Sequence, residues 1–194
     1  MMGSPSRAAI AGVHFVRARQ VYAGDQTLSV DHGGVLVATW PDGASMASGI
    51  EALDQRLDIT VRLVSGTLIA DLCLQDNLTL EAALCDGSLP RHLIPEIDSL
   101  FASAGCPVDW PAWASMFPDT AAADAVMQAK IGRALMADPD VLVIDAAQWD
   151  DALLGAQAFS RSFARQYPWR TLVWATHDVN RADSLRDALK EFQA

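Results

Sequence analysis

Basic residues are scarce in this chain. Against 24 aspartates and glutamates stand 14 lysines and arginines, a formal net charge of −10. Nucleic-acid binding needs a basic face that neutralises phosphates, so this balance argues against a nucleic-acid partner. It argues equally against adsorption to anionic lipid. Cysteine is scarce as well. Cys73, Cys85 and Cys106 stand far apart, without metal-ligand spacing. An odd number with no pairing pattern suits a reducing cytoplasm, with each thiol a small apolar filler. No apolar run nears the roughly 18 residues that a membrane span needs. Residues 1–12 lack the apolar core of a signal peptide and read as a mobile tail. Internal repeats and low-complexity segments are missing. So is a G-x-S-x-G nucleophile elbow.

What remains is enough for one domain, assigned to residues 13–194. A chain of 194 residues that is 51% hydrophobic can bury a single core. Residues 13–37 read as extended structure ending in an Asp31-His32-Gly33-Gly34 turn. Continuous apolar runs at 35–39, 141–145 and 171–176 have the character of buried parallel strands, and 59–64 is a further strand. Between them the spacing predicts helices over 45–56 (Met46, Ile50 and Leu53 inward), from about 78 to 84, and over 90–104 (Leu93, Ile97, Leu100, Phe101). Residues 106–118 form a Pro/Trp-rich connector. Thr120 is the predicted N-cap of a helix to 137 whose buried stripe is Val126, Met127, Ile131 and Leu135. Two last helices are predicted over 150–167 (Ala152, Ala156, Phe159, Phe163) and 180–192 (Ala182, Leu185, Leu189, Phe192). Alternating strands and helices imply an α/β fold with a parallel sheet. In such sheets ligands bind beyond the carboxyl ends of the strands. The residues there are Trp40-Pro41-Asp42-Gly43-Ala44-Ser45-Met46-Ala47-Ser48 after the first apolar run, Asp145-Ala146 after the second, and His177-Asp178 after the third.

That order resembles the ATP-binding subunits of ABC transporters. The family has a phosphate loop of the form GPSGSGKST, then a helical subdomain. A signature LSGGQ opens a helix ending in ARAL and, soon after, a proline. One strand then ends in Asp-Glu and a later one in Thr-His-Asp. Here the later landmarks read GRALMADPDVLVIDA and LVWATHD, and residues 66–80 are similar to the family stretch after the Q-loop. The resemblance covers about residues 35–189. It implies a P-loop NTPase-like parallel sheet flanked by helices, shortened, with a small helical subdomain at about 76–120.

The same comparison exposes departures. A working phosphate loop uses glycine amides and a lysine against the phosphates, and a hydroxyl on Mg²⁺. Aligned on Pro41 and Gly43, the lysine position is Met46 and the hydroxyl position is Ala47. Trp40 and Ser45 replace glycines, and Ser48 keeps one hydroxyl nearby. The signature pentad falls on Ala121-Ala122-Ala123-Asp124-Ala125, with no hydroxyl at Ala122 and a negative charge at Asp124. Asp145 matches the aspartate that supports Mg²⁺, but Ala146 stands where a glutamate polarises the attacking water. Asp150 or Asp151 could stand in beyond it. The Q-loop glutamine falls on Val64, since Gln75 lies too far along. His177 matches the switch histidine, or is a satisfied surface histidine. The stretch between Met46 and Val64 is short for the family, and Phe15 and Tyr22 are the candidates for an adenine-stacking aromatic.

The resulting expectation is a degenerate subunit with relic catalytic positions at Asp145, Ala146 and His177. Its relic phosphate loop holds Pro41, Gly43, Ser45, Met46, Ala47 and Ser48. No metal is expected, and ATP with Mg²⁺ only weakly. The implied partners are an ABC permease, an intact ABC ATPase subunit, or both, placing the chain in the cytoplasm and at the membrane only through a complex. Two other readings stay open. One is an ABC-type ATPase subunit that still binds nucleotide in a heteromeric complex. The other is an unrelated α/β enzyme using Asp145 and His177. Trp110, Trp113 and Trp149 are either interface aromatics or core.

Overall fold

The three continuous apolar runs lie side by side in one parallel sheet. The computed structural model of the chain describes residues 20–29, 33–55, 59–64, 66–85, 93–149 and 154–192. Among them, β1 (Gln20–Ala23) and β2 (Gln26–Ser29) form an antiparallel hairpin ahead of β3 (Gly34–Thr39). Then come α1 (Gly43–Asp54) and β4 (Val61–Val64). The helices α2 (Leu74–Cys85), α3 (Leu93–Ser103), α4 (Trp110–Ala114) and α5 (Ala123–Met136) lead to β5 (Val141–Asp145). Next are α6 (Ala156–Gln166), β6 (Thr171–Thr176) and α7 (Val179–Ala188). The sheet order is β3-β6-β5-β4, with Val37 opposite Trp174 and Val143 opposite Val173.

The central runs of β3, β5 and β6 are apolar because both faces of the sheet are covered, while the edge strand β4 carries the half-buried Arg62. On one face Ala38, Val141, Val143, Val173 and Ala175 pack with Met46, Ile50 and Leu53 of α1. On the other, Val35, Val37, Leu142, Ile144, Leu172 and Trp174 share a larger core with α2, α3, α5, α6 and α7. The chain leaves β3 for one face and the far edge, while β6 is followed by a helix on the other face. The turns after β3 and β6 therefore depart to opposite faces of the sheet, while the two strand ends stay paired through the Trp40 N–H and the Thr176 carbonyl at 3.0 Å.

The predicted faces of α1, α3, α6 and α7 are the buried ones, although several boundaries move. α1 begins two residues early because Asp42 caps it. α2 begins at Leu74, not near 78. Thr120 is not an N-cap: its hydroxyl donates to the Phe117 carbonyl at 3.2 Å, and Ala122 precedes α5 instead. The Pro/Trp connector holds the short helix α4, opened by Asp109 and a proline. The last helix ends at Ala188, and residues 190–192 tighten into a 3₁₀ turn. The predicted 150–167 helix starts at Ala156. Its first positions (Asp150, Asp151, Ala152) lie outside the described residues, as do Phe15, Asp31, His32, residues 1–19 and the start of the 90–104 helix.

The buried stripe of α5 also differs from the expectation. Ala125, Gln128, Ala129, Ile131, Gly132 and Leu135 are buried, while Val126 and Met127 are only half-buried. Small residues bring α5 against α2: a Cβ on Gly132 would come within 2.4 Å of Leu78 Cδ1. Asn77, fully buried in α2, holds the preceding loop. Its side-chain oxygen accepts from the Ile69 N–H at 2.7 Å. Its amide donates to the carbonyls of Ile69, Leu72 and Cys73 at 3.0, 2.9 and 3.1 Å.

The tryptophans are mostly core. Trp113 donates to the Ala125 carbonyl at 3.2 Å, and Trp149 to the Leu154 carbonyl at 2.8 Å. Trp110 is half-buried and donates to Asp98 at 2.7 Å. The interface reading of these three rings gives way to a satisfied, packed one.

Candidate functional site

Three turns leave the carboxyl edge of the sheet, after β3, β5 and β6. Each opens a helical segment whose first amides need acceptors. In all three an aspartate of the chain supplies them. Asp42 Oδ1 accepts the Ser45 N–H at 2.7 Å. Asp145 Oδ1 accepts the Ala147 N–H at 2.9 Å, and its Oδ2 accepts from Gln148 Nε2 at 2.9 Å. Asp178 Oδ1 accepts the N–H groups of Asn180 and Arg181 at 2.9 and 3.3 Å. A helix N-terminus attracts anions through these same donors, and here a side-chain carboxylate already holds each one.

The segment aligned with the phosphate loop folds as a capped helix start. Trp40 extends the pairing of β3 by donating its N–H to the Thr176 carbonyl at 3.0 Å. Its buried indole lies across α1, so close that a Cβ on Gly49 would come within 2.4 Å of Trp40 Nε1. Met46 is 8% exposed and packs in the core between sheet and helix with Trp40, Ile50 and Leu53. Met46, which the resemblance sets at the family's lysine position, is thus a core residue here. Pro41, Ala47 and Ser48 are exposed, and Gly43 and Ser45 are partly buried.

Hydrogen bonding from Ser45, backbone first and then side chain, holds the Asp42 carboxyl below the ordinary carboxylate range, and the nearby charge of His177 adds to this. A carboxylate with a lowered folded-state pKa contributes stability above its unfolded value, and loses it as pH falls through the folded one. The Asp42 contribution is therefore complete above about pH 4 and disappears below it. Asp42→Asn keeps the cap and removes this step. Urea denaturation at a series of pH values should show the wild type losing more stability than the variant as the pH falls below about 4. Parallel profiles would mean that the cap does not titrate.

The other relic positions are dispersed. Ala146 is buried at the start of the 3₁₀ turn 146–148. His177 is exposed and stands against the first residue of α1, with Cε1 3.7 Å from where a Gly43 Cβ would be. Val64 ends β4, buried. In the segment that the resemblance aligns with the signature, Ala122 offers no side-chain cap, and the exposed Asp124 accepts the Ala125 N–H at 2.8 Å.

Asp145 and His177 line different clefts. Asp145 borders one of about 390 Å³, with Val64, Val126, Met127, Lys130 and Ile144. His177 borders one of about 450 Å³, with Ala146, Thr176, Asp178 and Arg181. Trp149 lines both. Among the described residues, no group of three or more His, Cys, Asp or Glu is placed to hold a metal ion.

Two features escape a reading of the sequence. The capping roles of Asp42 and Asp178 had a signal, since aspartate just ahead of a helical run marks an N-cap. The clasp at the end of β3 had none. Asp25 in the hairpin turn accepts the Thr39 N–H at 2.7 Å, and Arg186 of α7 reaches Asp25 at 2.9 Å and the Thr39 hydroxyl at 2.7 Å. Its members are up to 161 residues apart. Large apolar side chains are exposed elsewhere, among them Ile69, Met116 and Phe117 (45%, 38% and 47% exposed). Their loops meet where the Leu74 N–H donates to the Met116 carbonyl at 2.8 Å. No helix among the described residues is long and apolar enough to cross a membrane.

No protein-family model matches the chain, and no curated protein matches it in sequence. Solved structures do match it in shape. An ATP-binding subunit of an ABC transporter aligns at 18% identity and a TM-score of 0.58, over 81% of this chain and 74% of that one. The ATP-binding cassette MJ0796, in a dimeric post-hydrolysis state bound to ADP and Pi, aligns at 15% identity and a TM-score of 0.56, over 84% and 87%. A second dimeric structure of that bacterial ABC transporter cassette aligns at 14% identity and 0.56, over 85% and 87%. The chain thus has the P-loop NTPase fold in the form seen in ABC transporter ATP-binding subunits.

Proposed function

We propose that the chain is a non-hydrolytic counterpart of these ATP-binding subunits and acts by protein contact. Its partner would be a permease or an ATP-competent relative, on the cytoplasmic face of a membrane. The observation that carries this reading is the start of α1, where a nucleotide's phosphates would need free amides and a lysine. The Asp42 carboxylate occupies the Ser45 amide, and the lysine position is the buried Met46. A polyphosphate brought there would meet a negative charge in place of a cation. Ala47 offers no hydroxyl to Mg²⁺, and Ala146 no carboxylate to an attacking water. The residues present do not fit Mg-ATP. The two neighbours described as dimeric cassettes support a paired assembly. The exposed Ile69, Met116 and Phe117 supply an apolar surface of the kind that partners bury.

The purified chain should release no phosphate from Mg-ATP above background. Loss of a single group that stabilises a transition state typically costs 10²–10³-fold in rate, and several are missing. Turnover that vanishes in Asp145→Asn would overturn the non-hydrolytic half. A native preparation from gently solubilised membranes that yields only monomer, with neither a permease nor an ABC ATPase, would sink the other half.

A further inference from the structure

Helix α5 has a second apolar face that is only half-buried, its Val126 and Met127 resting against the edge of the core. Ala123, Val126, Met127 and Lys130 follow the i, i+3, i+4, i+7 spacing of one helical stripe. They face a cleft of about 390 Å³ at the carboxyl ends of β4 and β5, whose other side is Val64, Ile144 and Trp149. That wall is fixed in place. The Trp149 indole donates to the Leu154 carbonyl at 2.8 Å, and its ring centroid lies 4.7 Å from Trp174 and 5.3 Å from Phe159. Two opposite charges line the same cleft, Lys130 and Asp145. Lys130 makes no hydrogen bond or ion pair among the described residues. Asp145 accepts one hydrogen bond on each oxygen, which leaves further lone-pair capacity on both.

We propose that this cleft binds a free amino acid with an apolar side chain. The Lys130 ammonium takes the ligand's carboxylate and the Asp145 carboxylate takes its ammonium. The apolar body rests on Val126, Met127, Ile144 and Trp149. Size and lining suit a small molecule, since such sites are apolar clefts of roughly 300–1,000 Å³ with a few placed polar groups. The position beyond the strand ends suits an α/β sheet. A simple anion would meet Asp145 and a simple cation would meet Lys130, whereas a zwitterion satisfies both. The wall is preformed, so little ordering opposes binding. The inference stands apart from the fate of the phosphate loop and does not need the chain to be silent toward ATP.

Isothermal titration of the full chain tests it, with L-leucine and L-phenylalanine as ligands. Glycine, 4-methylpentanoate and 3-methylbutylamine each lack one part of the recognised group. Leucine or phenylalanine should bind with Kd of about 1 mM or tighter, and each truncated compound at least tenfold more weakly. Lys130→Ala should weaken binding about tenfold, a loss of roughly 1.4 kcal/mol. Met127→Trp, which fills the cleft from a half-buried position, should abolish binding while the circular dichroism spectrum is kept. No binding of either amino acid below 10 mM would overturn the proposal. So would 4-methylpentanoate binding as tightly as leucine, or wild-type affinity in Lys130→Ala. If Met127→Trp fails to fold, the Lys130→Ala titration decides alone.

Discussion

Met46→Lys is expected to weaken the fold and to leave Mg-ATP unbound. Restoring the family's lysine looks like a repair when only the aligned sequences are considered. The side chain, however, points into the core beneath the sheet with Trp40, Ile50 and Leu53, and is 8% exposed. Replacing it forfeits about 2 kcal/mol of apolar burial and forces the ammonium either to desolvate or to drag its stem out past Trp40. A loss of roughly 3 kcal/mol follows, or a fall in Tm of about 6–12 °C for a chain of this size. Met46→Leu, close in volume, should cost under about 1.5 kcal/mol and serves as the control. The Asp42 carboxylate still holds the Ser45 amide in the lysine variant, so the phosphate cradle stays closed. Unchanged stability together with micromolar Mg-ATP affinity in Met46→Lys would show an intact pocket and refute the reading of α1 as a core-anchored, self-capped helix.

The second large effect is expected at Asn77. This side chain is fully buried and makes four hydrogen bonds to the loop ahead of α2. Asn77→Ala leaves the Ile69 N–H and the carbonyls of Ile69 and Leu72 without this partner. Stranded polar groups cost about 1–3 kcal/mol each when they stay buried. The loop borders solvent at Ile69, so water recovers part of that, and a net loss of about 2–4 kcal/mol is expected. The variant separates frame from surface. Amide exchange should accelerate through residues 66–73, the segment that presents Ile69, while the β3, β5 and β6 amides stay protected. If binding to a permease or ATPase partner depends on this surface, affinity should fall in step. A stability change below 0.5 kcal/mol, with exchange unaltered, would mean that the loop is held by other contacts.

The sheet was legible in the sequence because strands covered on both faces must be apolar at every position. The runs 35–39, 141–145 and 171–176 could be read directly, and the α/β class followed from their alternation with helices. The faces of α1, α3, α6 and α7 followed from apolar spacing alone. The resemblance to ABC ATP-binding subunits rested on the order of the landmarks, and the fold agrees with it.

Tertiary structure alone decided which apolar positions are core and which line a cleft. Val126 and Met127 read as core because hydrophobicity reports a preference for burial without naming what covers a residue; the neighbours that leave them half-buried are β4, β5 and Trp149, distant in sequence. Met46 differs: its spacing with Ile50 and Leu53 already turned it inward in the sequence, and the structure adds that Trp40 packs in the same cluster. The strand order and the Asp25–Thr39–Arg186 clasp depend on pairings across the whole chain, which no local periodicity encodes. The separation of Asp145 from His177 into different clefts is of this kind too. Both residues stand at the ends of buried strands in the sequence, yet they border different clefts, and only the packing around each strand end determines that.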